Sequence, residues 1–198
     1  MIELRLHGRG GQGAVTASKI LAGAFVEEGR CAQALAYYGG ERRGAPVLAM
    51  VRVDDRPIRR RTLIYEPDAA IVFDATLFAV AKVAQGLRPG GLLLVNTPLS
   101  REAFAEFGAF HVVPIDAARI ARGIGLGTAS NPIVNTAMVG AYAGASGRVR
   151  PESLLTALRT VAEARFDANA EAIRRAHELA AEIAFNGLRA PRVQGAAA

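Results

Sequence analysis

Apolar positions along this chain change period several times, and each change marks the end of one element and the start of another. Ile2 to Leu6 alternates apolar and polar residues as a half-buried strand does. A glycine-rich stretch follows, and then Val15, Ile20, Leu21, Ala24 and Phe25 recur at helical spacing up to Gly29, which can close a helix in the left-handed conformation. The opening is therefore strand, glycine loop, helix.

Strands are predicted at Cys31 to Leu35 and at Val47 to Val53, where Val47, Ala49, Val51 and Val53 share a face. Between them, Tyr37 to Pro46 is rich in glycine and charge and reads as an exposed loop. Asp54-Asp55-Arg56-Pro57 reads as a turn, and a short strand near Thr62 to Ile64 would make part of the sheet antiparallel. Ala69 to Phe73 and Leu92 to Val95 are continuous apolar runs of the kind buried in a parallel sheet. A helix over Leu77 to Gln85 would link them; Arg101 to Phe107, a strand at Phe110 to Val113 and a helix at Ala117 to Arg122 continue the alternation. Helices are predicted at Pro132 to Ala145, Pro151 to Glu163 and Ala170 to Phe185. The fold class is α/β: a three-layer α/β/α domain with a mixed, mainly parallel sheet and a helical C-terminal third. Residues 1–188 form one domain, and 189–198 form a flexible tail that is small, basic and featureless.

Composition narrows the chemistry. With 198 residues, 51% of them hydrophobic, the chain can bury a sizeable core, yet a charge or proline interrupts every apolar run before bilayer-spanning length. The N-terminal residues Met1 to Gly8 lack a basic leader followed by a long apolar region, so a cytoplasmic location is expected. All basic residues except Lys19 and Lys82 are arginines, and they are spread over the whole chain, so the net charge of +6 reads as compositional bias rather than nucleic-acid binding. Cys31 stands alone, whereas an iron–sulfur cluster takes about four thiolates. His7, His111 and His177 lie in no ligand-spaced cluster, so no metal is expected. Neither paired carboxylates nor a Ser/His/Asp or Cys/His set supports a freestanding hydrolase.

Gly8, Gly10 and Gly13 match G-x-G-x-x-G between a strand and a helix, a setting in which backbone amides approach a phosphate. The strand that follows ends in Ala36 and Tyr37 with no acid to bind a ribose, which argues against NAD. The glycines either contact an anion or only permit a tight turn. Arg9 adds charge beside Gly11, and the Gln12 amide could meet a ligand or a neighbouring subunit. Asn131 precedes Pro132 and is placed to cap the next helix or to touch a ligand, and Asp74 and Thr97 sit at strand ends where open α/β sheets collect ligands.

Two segments together point to one family. His7 to Thr16, and Tyr38-Gly39-Gly40-Glu41-Arg42-Arg43-Gly44-Ala45-Pro46-Val47, resemble the two signatures of the gamma subunit, or gamma domain, of pyruvate and related 2-oxoacid:ferredoxin oxidoreductases. Ile64 to Asp68 and Asn131 to Ala141 are similar to later family segments, so the resemblance spans about residues 2 to 186. It implies a subunit of an enzyme that oxidatively decarboxylates a 2-oxoacid to acyl-CoA. Thiamine diphosphate and 4Fe-4S clusters would sit on alpha, beta and delta-type partners, with ferredoxin or another acceptor reached through the complex. It also implies that this subunit serves assembly and the coenzyme A side of the site. On that reading Arg42 and Arg43 either hold coenzyme A phosphates through bidentate hydrogen bonds or form an intersubunit salt bridge with Glu41 as partner. Arg56, Arg59, Arg60 and Arg61 read as a solvated or interface face. The other readings are a standalone Rossmann-like nucleotide-binding oxidoreductase and a purely structural scaffold subunit.

Overall fold

The computed structural model describes residues 1–38, 44–161 and 164–189. Its strands are β1 (Ile2–Arg9), β2 (Cys31–Tyr38), β3 (Pro46–Asp54), β4 (Ala69–Val72), β5 (Leu92–Asn96) and β6 (His111–Ile115). They form one sheet in the order β2-β3-β1-β4-β5-β6. Strand β3 runs antiparallel to both β1 and β2, while β1, β4, β5 and β6 are mutually parallel. The C-terminal ends of β1, β2, β4, β5 and β6 therefore share one edge of the sheet with the start of β3. The α-helices are α1 (Ala14–Glu27), α2 (Ala117–Gly123), α3 (Asn135–Ser146), α4 (Pro151–Val161) and α5 (Phe166–Arg189).

Side-chain alternation divides the sheet into two unlike faces. Leu4 and Leu6 of β1, Val51 and Val53 of β3 and Leu94 of β5 join the larger core, which includes residues of all five helices. Fully burying such side chains stabilises by roughly 1.5 to 3 kcal/mol each. Every residue of α3 from Asn135 to Ala143 is buried, making it the central helix. It meets α5 at backbone distance: a Cβ on Gly140 or Gly144 would collide with the carbonyls of Ile173 or His177. The opposite face has a smaller core around Val72, Leu77, Leu93 and Phe104, covered by 3₁₀ helices at Ala75–Ala79 and Arg101–Phe107 and by loops. The three-layer α/β/α reading holds, with a thin third layer.

Buried arginines explain two differences from expectation. No strand forms at Thr62 to Ile64, because Arg52, only 1% exposed, takes the carbonyls of Arg60 and Leu63 through its guanidinium while its Nε pairs with Glu3 at 2.7 Å. The antiparallel pairing comes instead from β3. No helix runs from Leu77 to Gln85, because Arg5 draws the carbonyls of Val83 and Gln85 onto its own Nη2 and away from helical bonding. Boundaries also move. Tyr37 and Tyr38 belong to β2, paired with Leu48 and Val47, rather than to the loop. The strand predicted at Phe110 to Val113 is His111–Ile115, and α5 begins at Phe166 and reaches Arg189, the first residue of the predicted tail. The remainder of that tail lies outside the described residues. Among the described residues, no helix is long and apolar enough to cross a membrane.

Candidate functional site

The chain leaves β1 through α1 toward β2, on one side of the sheet order, and leaves β4 toward β5 on the other. The C-terminal ends of β1 and β4 thus flank a topological switch point, where open α/β sheets bind ligands. The glycine loop stands there. It turns back on itself through Gln12 N–H to the Arg9 carbonyl at 3.0 Å, and Gly13, at φ 76°, forms the N-cap of α1. Neither a side-chain cap nor an acidic residue occupies the first turn of that helix. An uncapped helix start with its positive dipole end is suited to an anion.

Arg9 does not supply free charge at this place. Its Nε pairs with Asp74 at 2.9 Å, Nη2 donates to Thr76 Oγ1 at 2.7 Å, and Nη1 donates to the Gly44 carbonyl at 3.2 Å. Gln12 is equally engaged, accepting from the Arg9 amide at 2.8 Å and donating to Asp74 at 3.3 Å. Burial would raise the Asp74 carboxyl, but hydrogen bonds from Thr76, Arg9 and Gln12 outweigh it and hold the group below its ordinary value. Arg9, Gln12 and Asp74 therefore brace the switch point internally. Any anion there would rest on backbone amides and on cations from elsewhere.

The second signature returns to the same edge. Gly10 N–H donates to the Ala45 carbonyl at 2.9 Å, Gly44 N–H donates to the Gly10 carbonyl at 3.3 Å, and Arg9 and Pro46 are register partners. Glu41, Arg42 and Arg43 lie outside the described residues; of the residues flanking them, Gly44 is hydrogen-bonded to Gly10, and Tyr38 pairs with Val47, the register partner of Gly8.

Asn131 is not a helix cap. It closes a turn with Thr128, whose Oγ1 accepts its amide at 3.1 Å, and Ile133 N–H bonds the Leu126 carbonyl, so the chain from Gly127 to Pro132 folds back on itself as a small antiparallel turn instead of starting a helix. Helix α3 starts three residues beyond Pro132, with Val134 as its N-cap and no side-chain cap. The residue that reaches the glycine loop is Asn135. It is buried, its Oδ1 accepts the Thr136 amide at 2.9 Å, and its carboxamide lies against Gly13. The repeated asparagine four residues after Asn131 was the available signal. Thr97 is buried and accepts the Leu99 amide, while Asn96, its neighbour, bridges the Phe73 carbonyl and the Ala118 amide. Among the described residues no three His, Cys, Asp or Glu gather as metal ligands.

This chain is similar to known proteins over most of its length. Residues 3–179 match the family described as Pyruvate ferredoxin/flavodoxin oxidoreductase. The chain is similar to the pyruvate/ketoisovalerate oxidoreductases common subunit gamma of Thermococcus kodakarensis, at 47% identity over 94% of this chain and 96% of that protein. It is also similar to the pyruvate synthase subunit PorC of Methanothermobacter thermautotrophicus, at 44% identity over 94% of this chain and 99% of that one. Among solved structures, the pyruvate oxidoreductase subunit PORC of Thermotoga maritima aligns with a TM-score of 0.77 and 35% identity, covering 90% of this chain and 96% of the other.

Proposed function

The chain belongs to the pyruvate ferredoxin/flavodoxin oxidoreductase family as a gamma-type subunit, and from that premise we propose that it docks on partner subunits and presents its glycine-loop edge to coenzyme A. The observation that carries this reading is the junction of the two signatures: Gly10 is hydrogen-bonded to both Ala45 and Gly44, beside the uncapped start of α1. Backbone amides of that turn suit a phosphate, and Arg42 and Arg43 immediately precede in sequence Gly44, which is hydrogen-bonded to Gly10. When bound, coenzyme A supplies the thiol that accepts the acyl group. This chain's share is binding: Gly8 to Gly13 give the backbone surface, Asn135 packs under Gly13, and the Arg9–Asp74 pair keeps the loop in place.

Redox chemistry falls to partner chains on this reading. One cysteine cannot hold a 4Fe-4S cluster that takes about four thiolates. Alpha, beta and delta-type subunits would carry thiamine diphosphate and the clusters, with ferredoxin as electron acceptor. Residues 1–188 act as one domain, and the mainly arginine surface at Arg56, Arg59, Arg60 and Arg61, all exposed, is offered to a partner.

Purification of the native complex, followed by reconstitution with and without this chain, tests the proposal. Association with larger subunits and a loss of coenzyme A-dependent acyl transfer on omission are expected. Unchanged acyl transfer without this chain would reduce it to a scaffold.

A further inference from the structure

Helices α1 and α3 begin at one place. Gly13 is the N-cap of α1, and Asn135, the first residue of α3, lies against it. Neither helix has a side-chain cap, and neither carries an acidic residue in its first turn. Two positive dipole ends thus meet with no carboxylate of their own to balance them. Asp74, the acid beside the glycine loop, is engaged by Arg9, Gln12 and Thr76. The first helical bond of α1 runs from the Ala17 amide to the Gly13 carbonyl at 2.9 Å, which leaves the amides of Ala14, Val15 and Thr16 without an acceptor among the described residues. Gly11 is exposed and Gly13, Val15 and Thr16 are half-buried, so this place is open to a small ligand.

Asn135 brings a side-chain donor to the same place. Its Oδ1 accepts the Thr136 amide at 2.9 Å, and that bond turns the Nδ2 end of the carboxamide toward Gly13. The residue is only 9% exposed, yet Nδ2 has no hydrogen-bond partner among the described residues. Nor is it sealed in: Nε2 of His7 is buried without a partner, whereas Nδ2 of Asn135 still reaches the exterior. Packing against Gly13 does not account for this donor, because an apolar side chain of similar shape fills the same space and leaves no N–H unpaired. An unpaired N–H at the meeting of two uncapped helix starts calls for an anionic acceptor.

We propose that Asn135 is a ligand-binding residue: Nδ2 donates to an oxygen of a phosphoryl group seated at the start of α1, beside the amides of Ala14, Val15 and Thr16. Donors carried by two helices suit the three oxygens of a tetrahedral phosphoryl group better than the two of a planar carboxylate. The proposal rests on the coenzyme A reading for the source of that phosphate, whereas the donors themselves belong to this chain.

The full chain, isotopically labelled on nitrogen, is titrated in turn with inorganic pyrophosphate, coenzyme A and sodium acetate, ionic strength being held constant with sodium chloride. The reporters are the Asn135 carboxamide and the amides of Ala14, Val15 and Thr16, assigned from the backbone. Pyrophosphate is expected to shift both sets saturably at concentrations on the order of 1 mM, since the probe supplies only the charged group. Asn135→Asp keeps the acceptor for Thr136 but puts a negative charge in place of the donor, and Asn135→Ala removes the donor. Each should weaken pyrophosphate binding about tenfold or more. If pyrophosphate saturates and coenzyme A does not, the phosphoryl site stands and the coenzyme A reading falls. If coenzyme A saturates while the Asn135 carboxamide stays still and both variants bind as tightly as wild type, the coenzyme A reading stands and the proposal falls. Absence of saturation by pyrophosphate and coenzyme A alike, or tighter binding of acetate than of pyrophosphate, also overturns the proposal. The wild-type carboxamide signal decides the matter even if a variant fails to fold.

Discussion

A Cβ built on Gly13 would stand 2.7 Å from Nδ2 of Asn135, so the turn into α1 and the start of α3 touch across a gap that only glycine leaves open. Gly13 also holds φ at 76°, a conformation that costs an L residue about 1 kcal/mol or more. Gly13→Ala is expected to lose about 2 to 4 kcal/mol in urea unfolding, strain and overpacking together. Adding Asn135→Ala should return part of that loss by removing the Nδ2 contact while leaving the strained φ.

Helix propensity and packing make opposite predictions at Gly140. Alanine in a helix interior is favoured over glycine by about 1 kcal/mol. A Cβ there, however, would strike the backbone carbonyl of Ile173, which cannot swing aside as a side chain can. Gly140→Ala should therefore destabilise by about 3 kcal/mol or more. Thermal unfolding at matched concentration measures the sign directly, and a raised melting temperature would mean that α3 and α5 are not in backbone contact.

His7 gives a pH signature. Burial first, and the charge of Arg5 second, lower its pKa from the ordinary 6.5 to about 3. Between those values the unfolded chain takes up a proton that the folded chain refuses, so stability falls as pH drops through 6.5 toward 3. His7→Gln removes this slope without removing those of the carboxylates. Denaturant midpoints of the two proteins should converge on acidification across this window, with the wild type falling faster.

Arg42, Arg43 and Arg9 should separate cleanly in the assembled enzyme. Losing a charge-assisted hydrogen bond to phosphate costs about 1.5 to 3 kcal/mol, so Arg42→Ala and Arg43→Ala should raise KM for coenzyme A about tenfold or more and leave KM for the 2-oxoacid unchanged. If these side chains serve assembly instead, the variants shed this subunit on gel filtration. Arg9→Ala should act differently, because its guanidinium is spent on Asp74, Thr76 and Gly44. Its effect is expected in stability first, measured on the isolated chain.

What the sequence revealed, and what it hid, follows from the range of the forces involved. Alternation in β1 and β3 and the apolar runs of β4 and β5 are local signals, and they located the sheet and its parallel half. Glycine spacing likewise marked the loop after β1, because the turn needs glycine wherever the rest of the chain goes. The errors come from side-chain contacts that the local pattern does not carry. Nothing in the apolar pattern near Thr62 or Gln85 announces that the guanidinium of Arg52, eight to eleven residues away, or of Arg5, some eighty away, will claim backbone carbonyls there. Asn131 reads as a cap because proline follows it, yet the Leu126 carbonyl ties Ile133 into a closed turn and the helix starts only at Asn135. The internal engagement of Arg9 and Gln12 depends on Asp74, more than sixty positions away.

The place of β1 in the sheet has a consequence for biosynthesis. Strand β1 is central in the sheet, and both of its neighbours, β3 and β4, are made after it. With Ile2, Leu4 and Leu6 on its inner face, β1 has no strand beside it until Pro46–Asp54 has been translated, and α3 and α5 come later still. At roughly 5 to 20 residues per second, that leaves the nascent segment with unpaired backbone and uncovered apolar side chains for seconds. Among the described residues, α1 is the one helix made in that interval to shield it. A nascent chain stalled before residue 46 would thus be the form most exposed to aggregation and to chaperone capture.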